Sequence, residues 1–310
     1  MIGRIVSIAL NSYREAVRAR VLIGVFALGL ATCFWSVVVG SLSLHNDERV
    51  VADVGSASMS LYGVVIAIVL GSSSLYHELE HKTIYPILSR PIRRWEYLVG
   101  KYLGTVLTVI VFVAIETGVL FVLLSAEAGQ AVLKIVAPSL LLALALFAAL
   151  FHFRLSRVYV AIPWALGFAA VAYFIASPSP EDRQLVAAAS TLAICEVAIV
   201  AAVATLFGSF SSPFLSATFT AMVFVIGRSS DTLAHLPKRL FGPAVGALGR
   251  ALARIFPNLH VYVPARSLLL GQVSGVRVWP YVGLAALHAI AYSTVLLVIG
   301  AFAFRRRDFS

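Results

Sequence analysis

Charge is scarce in this chain. Asp, Glu, Lys and Arg make up 12% of its 310 residues, about half the share of an ordinary soluble domain. Cysteine is nearly absent: Cys33 and Cys195 each lie inside an apolar run, so neither a disulfide framework nor a cysteine metal site is supported. Also missing is any Gly-x-x-x-x-Gly-Lys-Ser/Thr loop. Gly100-Lys101 is followed by Tyr102 and has no glycine loop ahead of it, so it is no phosphate cradle. The chain shows no internal repeat, no low-complexity tract and no polar stretch long enough to fold alone.

Apolar sequence fills the space. The chain is 60% hydrophobic with a mean hydropathy of +0.94. Its long runs are continuous and not alternating, which specifies helices, because lipid forbids unpaired backbone. The sequence therefore predicts an all-α integral membrane bundle of six to eight spans. The eight candidate runs are 21–43, 58–75, 101–124, 135–152, 158–177, 186–207, 213–228 and 280–303. The 16-residue run at 213–228 and the pair at 135–177 give the weakest evidence for a full crossing, and a short hydrophobic stretch can be re-entrant.

A net charge of +10 would point to nucleic acid in a soluble protein. Here the cations cluster at span ends, which is the positive-inside pattern, so no nucleic-acid partner is expected. With the N-terminus in the cytoplasm, fourteen basic residues fall inside and the short outer loops keep only Arg49, Lys134 and Arg183. Both termini are then cytoplasmic. The stretch 229–279 lies outside, and counting Arg228 it carries seven basic residues. Apolar spacing there predicts amphipathic helices on the outer leaflet, with Lys238, Arg239, Arg250 and Arg254 near lipid phosphates. Residues 1–20 read as a second interfacial element, in which Ile2, Ile5, Ala9, Tyr13 and Val17 recur at helical spacing opposite Arg4, Arg14 and Arg18.

Between two apolar runs stands one densely charged block, residues 76–101. It contains His77-Glu78-Leu79-Glu80-His81, the H-E-x-x-H spacing that places two imidazoles on one helix face for zinc. A catalytic zinc needs a third protein ligand. His152, Glu116, Glu196 and His288 stand alone, so no metal or other cofactor is expected. An intramembrane zinc protease centred on His77, Glu78 and His81 remains the alternative, and a non-enzymatic scaffold a third class.

The block as a whole carries more. Glu78, Glu80, Thr83, Leu88, Ser89, Pro91, Arg93, Glu96, Gly100 and Lys101 occur in an order that resembles the cytoplasmic coupling segment of ATP-binding-cassette exporter permeases of the second type. That group includes the permease of nitrous-oxide-reductase assembly operons. The N-terminal interfacial helix, Ile255-Phe-Pro-Asn-Leu259 and the closing Phe304-Arg-Arg-Arg-Asp-Phe309 extend the likeness over most of the chain. The resemblance implies one permease domain over 1–310 in the bacterial cytoplasmic membrane, dimeric with itself or a second permease. It implies no catalysis of its own, ATP being hydrolysed by a separate subunit. It also implies that residues 76–100 dock on that subunit, with His77, Glu78, Glu80, Thr83, Leu88, Arg90, Pro91, Arg93, Arg94 and Glu96 as candidate contacts. Pro86 and Pro91 disfavour one continuous helix through the segment.

Within the spans, Glu116 and Glu196 stand out. A carboxylate at mid-membrane costs about 3 kcal/mol on insertion scales, so such residues face a cavity or a partner. They are candidate substrate-pathway residues. An equally plain role is a hydrogen bond between helices. The largely apolar spans lean toward a lipid-like or amphipathic cargo.

Overall fold

The computed structural model describes residues 2–43, 47–80, 93–152, 157–236, 238–273, 275 and 277–305; of 74–80, 238–241, 243 and 305 it describes the backbone course alone. Every described element is helical, with no strand among them. The chain opens with α1 (Ile2–Arg18), α2 (Arg20–Ser41), α3 (Asp47–Glu80) and α4 (Arg94–Glu127). Next come α5 (Val132–His152), α6 (Arg157–Ile175), α7 (Pro180–Gly208) and α8 (Pro213–Arg228). The last third holds α9 (Ser230–Ala234), α10 (Lys238–Ile255), a 3-10 turn (Leu259–Tyr262), α11 (Arg266–Leu269) and α12 (Val278–Arg305).

Proline and charge mark the boundaries. Pro180 and Pro213 open α7 and α8 at the first helical turn, where a missing N–H costs nothing. Asp47 and Glu48 sit in the first turn of α3, where carboxylates offset the helix dipole. These charges explain a difference from the expected spans. α3 and α4 begin at residues 47 and 94, well before the apolar runs at 58 and 101, because their first turns are polar and invisible to hydropathy. Asp47, Glu48 and Asp53 are therefore helical residues and not part of a loop.

Seven of these helices (α2 to α7 and α12) are long and apolar enough to cross a membrane. The eighth expected run, α8, is a 16-residue helix, about 24 Å long against a hydrocarbon core of about 30 Å.

Three helices form the centre. The apolar window of α7 is 67% buried, that of α4 61% and that of α3 50%, whereas the α5 window is 0% buried. α2 closes on α3 and α4, α12 on α7 and α4, and α5 packs on α6 at the rim. Small residues let the central backbones approach: a Cβ on Gly71 of α3 would stand 2.5 Å from the Ala204 methyl of α7. The rim is different. Leu140, Leu141, Leu144 and Phe147 of α5 and Leu284, Leu287 and Ile290 of α12 are exposed, a surface suited to acyl chains and unsuited to water.

The N-terminal helix packs across α4. A Cβ on Gly104 would stand 2.7 Å from the Ala9 carbonyl oxygen and 2.4 Å from the Ser12 Cβ. The backbone of α1 cannot yield as a side chain would. Gly104→Val is therefore expected to lift α1 off α4 and destabilise the protein by about 1–3 kcal/mol, read by thermal unfolding in detergent. Gly24→Val, at a glycine with open space around it, should cost under about 1 kcal/mol.

Polar contacts gather at the two ends of the bundle. At one end Lys101 Nζ meets Glu15 at 3.1 Å, Arg4 meets Glu96 at 3.9 Å, and Arg94 donates to the Phe304 carbonyl at 3.3 Å. At the other end Ser179 Oγ donates to Glu48 at 2.6 Å, and Arg266 pairs with both Asp53 and Asp182. Part of the stretch between α8 and α12 is packed into the helices. Leu259 and Tyr262 are buried, and the Tyr262 hydroxyl bonds the Ala285 carbonyl and His288 Nδ1 of α12 at 3.1 and 2.8 Å.

Candidate functional site

α3 carries serines on two sides. Ser58 points toward α4 and donates to Glu116 Oε1 at 3.0 Å. Cys33 of α2 donates to the same oxygen at 3.5 Å. Glu116 Oε2 is buried without a hydrogen-bond partner. This cluster joins α2, α3 and α4, and a Cβ on Gly29 of α2 would press on Glu116 Oε1 at 2.9 Å. It is a tight polar joint.

Ser60 lies two residues on and faces α7, where it donates to Glu196 Oε2 at 2.7 Å. The other oxygen, Oε1, is ion-paired with Arg228, whose Nη1 also donates to Ser60 Oγ at 3.1 Å. Glu196 is fully buried, while 31% of the Arg228 side chain is exposed. Arg228 ends α8, and Glu196 lies about 18 Å along α7 from its end at Gly208. The short helix thus delivers a guanidinium to the depth of the buried carboxylate. A membrane carboxylate with a cation and a hydroxyl on separate oxygens is satisfied.

Arg228 and Ser60 open on a cavity of about 160 Å³. Asp53, Ser56 and Arg266 complete its polar wall, and Leu185, Ala189, Ala193, Tyr262 and Leu269 line the rest. The cavity runs along α3 from Asp53 to Ser60, two turns or about 10 Å. At its far end the Asp53–Arg266–Asp182 ion pairs tie α3, α7 and α11 together. The two glutamates therefore differ. Glu196 stands directly behind a cavity wall, and Glu116 does not line this cavity.

Of the candidate coupling residues, His77, Glu78 and Glu80 fall in the closing turns of α3, with their side chains outside the described residues. Thr83, Leu88, Arg90 and Pro91, with His81 of the zinc motif, lie outside the described residues. Arg93 is exposed at the start of α4, and its backbone N–H donates to Glu96 Oε2 at 3.2 Å. Glu96 is 3% exposed and near Arg4, and Arg94 reaches the end of α12. Those two side chains hold α4 to its neighbours. Among the described residues no three His, Cys, Asp or Glu side chains gather into a metal-binding group.

The family model described as ABC-2 family transporter protein matches residues 6–309. The chain belongs to that family. It is a multi-pass membrane permease of an ABC transporter, the transport component that pairs with an ATP-binding subunit. No curated protein matches this ABC-2 family chain.

Sequence reasoning named none of the residues in the polar wall of the permease's cavity, Asp53, Ser56, Ser60, Arg228 and Arg266, as site residues. Arg266 has no local signal, since its partners Asp53 and Asp182 lie 213 and 84 residues away. Arg228 had one. A cation closing an apolar helix too short to cross, in a chain with an unmatched carboxylate in the preceding span, is an ion pair waiting to be drawn.

Proposed function

We propose that this ABC-2 permease is the transmembrane half of an exporter in the bacterial cytoplasmic membrane, working as a homodimer with two separate ATPase subunits. Residues 76–100 are its coupling segment, and the likeness to permeases of nitrous-oxide-reductase assembly operons belongs to the same proposal. ATP binding and hydrolysis in the partner shift the segment and, through the continuous helices α3 and α4, the packing around α7, which alternates access. The family match over 6–309 carries the proposal. The cargo is lipid-like or amphipathic. Support comes from a cavity with one charged and one apolar wall, which suits a molecule with a polar head and a greasy body. Glu196 acts on that path through Ser60 and Arg228. Glu116 acts from the joint between α2, α3 and α4.

Orientation is testable without substrate. In a chain with Cys33 and Cys195 replaced by serine, single cysteines are placed at Gln272 and Phe210, both exposed. An impermeant thiol reagent added to intact cells should label position 272 and reach position 210 only after permeabilisation. The opposite pattern would reverse the proposed orientation and, with it, the cytoplasmic placement of 76–100.

A further inference from the structure

We propose that the cavity beneath the N-terminal helix is a binding site for one anionic membrane phospholipid, with a chain in the cavity and the headgroup among arginines. Tyr13 and Val17 of α1, Leu22, Ile23 and Phe26 of α2, and Ala161 of α6 are among the residues lining a space of about 220 Å³. Thr108, Val111, Phe112 and Ile115 of α4 form its floor. The wall is almost wholly apolar. Its polar side chains are Thr108, whose hydroxyl donates to the Gly104 carbonyl at 2.8 Å, and Tyr13, which is at 0% exposure behind the wall and whose hydroxyl has no hydrogen-bond partner. A buried hydroxyl left unmet is costly, and the ester carbonyl of a phospholipid supplies an acceptor at that depth.

Charge identifies the occupant. Arg14 and Arg18 on α1 and Arg20 at the start of α2 are exposed. Arg157 opens α6, exposed and donating its Nε to the Leu150 carbonyl at 3.1 Å. Each lies within a few residues of a cavity-lining side chain: Arg14 beside Tyr13, Arg18 beside Val17, Arg20 before Leu22, Arg157 one turn before Ala161. Tyr159, between Arg157 and Ala161, stacks on Tyr13 with ring centroids 6.5 Å apart, which packs the start of α6 against α1. Glu15, the one acid of α1, is held by Lys101 at 3.1 Å and Asn11 at 2.7 Å, so it leaves the cluster positive. Phe26 lies about 9 Å beyond Arg20 along α2. A phosphate at the arginines therefore places its glycerol near Tyr13 and an acyl chain against Phe26 and Ala161. Juxtamembrane arginines of this kind select anionic lipid.

The site does not depend on what the permease transports. It makes α1, which packs across α4 beside the coupling segment, a lipid-sensitive element. The test uses the full chain in mild detergent, with dioleoyl phosphatidylglycerol or dioleoyl phosphatidylcholine added at equal mole fraction. Unfolding temperature and lipid retained by native mass spectrometry are recorded. Phosphatidylglycerol is expected to be retained at one molecule per chain and to raise the unfolding temperature, with no such effect from phosphatidylcholine. Arg14→Gln, Arg18→Gln and Arg20→Gln should each weaken that effect about fivefold. Tyr13→Phe keeps the shape and should also weaken it. Ala161→Phe and, from the opposite wall, Ile23→Phe fill the chain slot and should abolish retention, while the lipid-free unfolding temperature of at least one of them stays that of the wild type. Equal effects of the two lipids would overturn the proposal. So would a preference for phosphatidylglycerol that survives both filling variants, since the arginines would then be attracting lipid diffusely.

Discussion

Arg228→Met is expected to destabilise the permease by about 3–5 kcal/mol, because it strands the fully buried Glu196 carboxylate in the membrane. The loss has a direction. Glu196→Gln alone should cost less, about 1–2 kcal/mol, since its amide oxygen still accepts from Ser60 and the 31% exposed arginine can turn toward the cavity. In the double variant no unpaired charge remains at depth, so most of the Arg228→Met loss should return. Thermal unfolding of the four proteins in lipid nanodiscs gives the coupling energy directly. If Arg228→Met matches the wild type, the ion pair contributes nothing to the fold. Transport adds a second readout: the double variant should fold and yet move cargo poorly, because the polar wall of the cavity has been changed.

The second large effect lies in the proposed coupling segment, residues 76–100. Glu80→Lys or Arg93→Glu is expected to weaken association with the ATPase subunit by about 2–5 kcal/mol, thirtyfold or more in Kd. An interfacial charge broken on one side leaves its partner stranded, whereas a rim contact costs under about 1 kcal/mol. Arg93 is exposed, so its reversal should leave the permease in the membrane and correctly folded. Glu96 gives the contrast. It is 3% exposed and accepts from the α4 N-terminus beside Arg4, so Glu96→Lys should lower stability first and association only in consequence. Equal association for wild type, Glu80→Lys and Arg93→Glu would reduce residues 76–95 to a solvated loop.

Much of the architecture was legible because lipid enforces it. Continuous apolar runs located the seven helices long and apolar enough to cross, and the alternation of Arg4, Arg14 and Arg18 with apolar residues located α1. Helix length was less legible. Membrane helices continue into polar surroundings, and the first turns of α3 and α4 carry Asp47, Glu48, Arg94 and Glu96, residues that a hydropathy pattern assigns to loops. The site was legible in part. Glu116 and Glu196 announce themselves by cost, but their surroundings do not. That Ser58 serves one and Ser60 the other follows from two-residue spacing on a helix wedged between α4 and α7. That packing order is a tertiary fact. Arg266 could not have been found, since an arginine in a polar stretch between helices looks the same whether it is solvated or locked between two aspartates.

The central claim is that this ABC-2 family chain moves cargo only as one part of an assembly whose ATPase is another polypeptide. The most direct measurement is purification of the tagged permease from its own membranes in mild detergent, followed by identification and quantification of every retained chain. An ATP-binding-cassette ATPase subunit retained in one-to-one ratio, and lost from the Arg93→Glu variant, is the predicted result. A monodisperse, folded permease that retains no ATP-binding subunit under conditions preserving other membrane complexes would contradict the account.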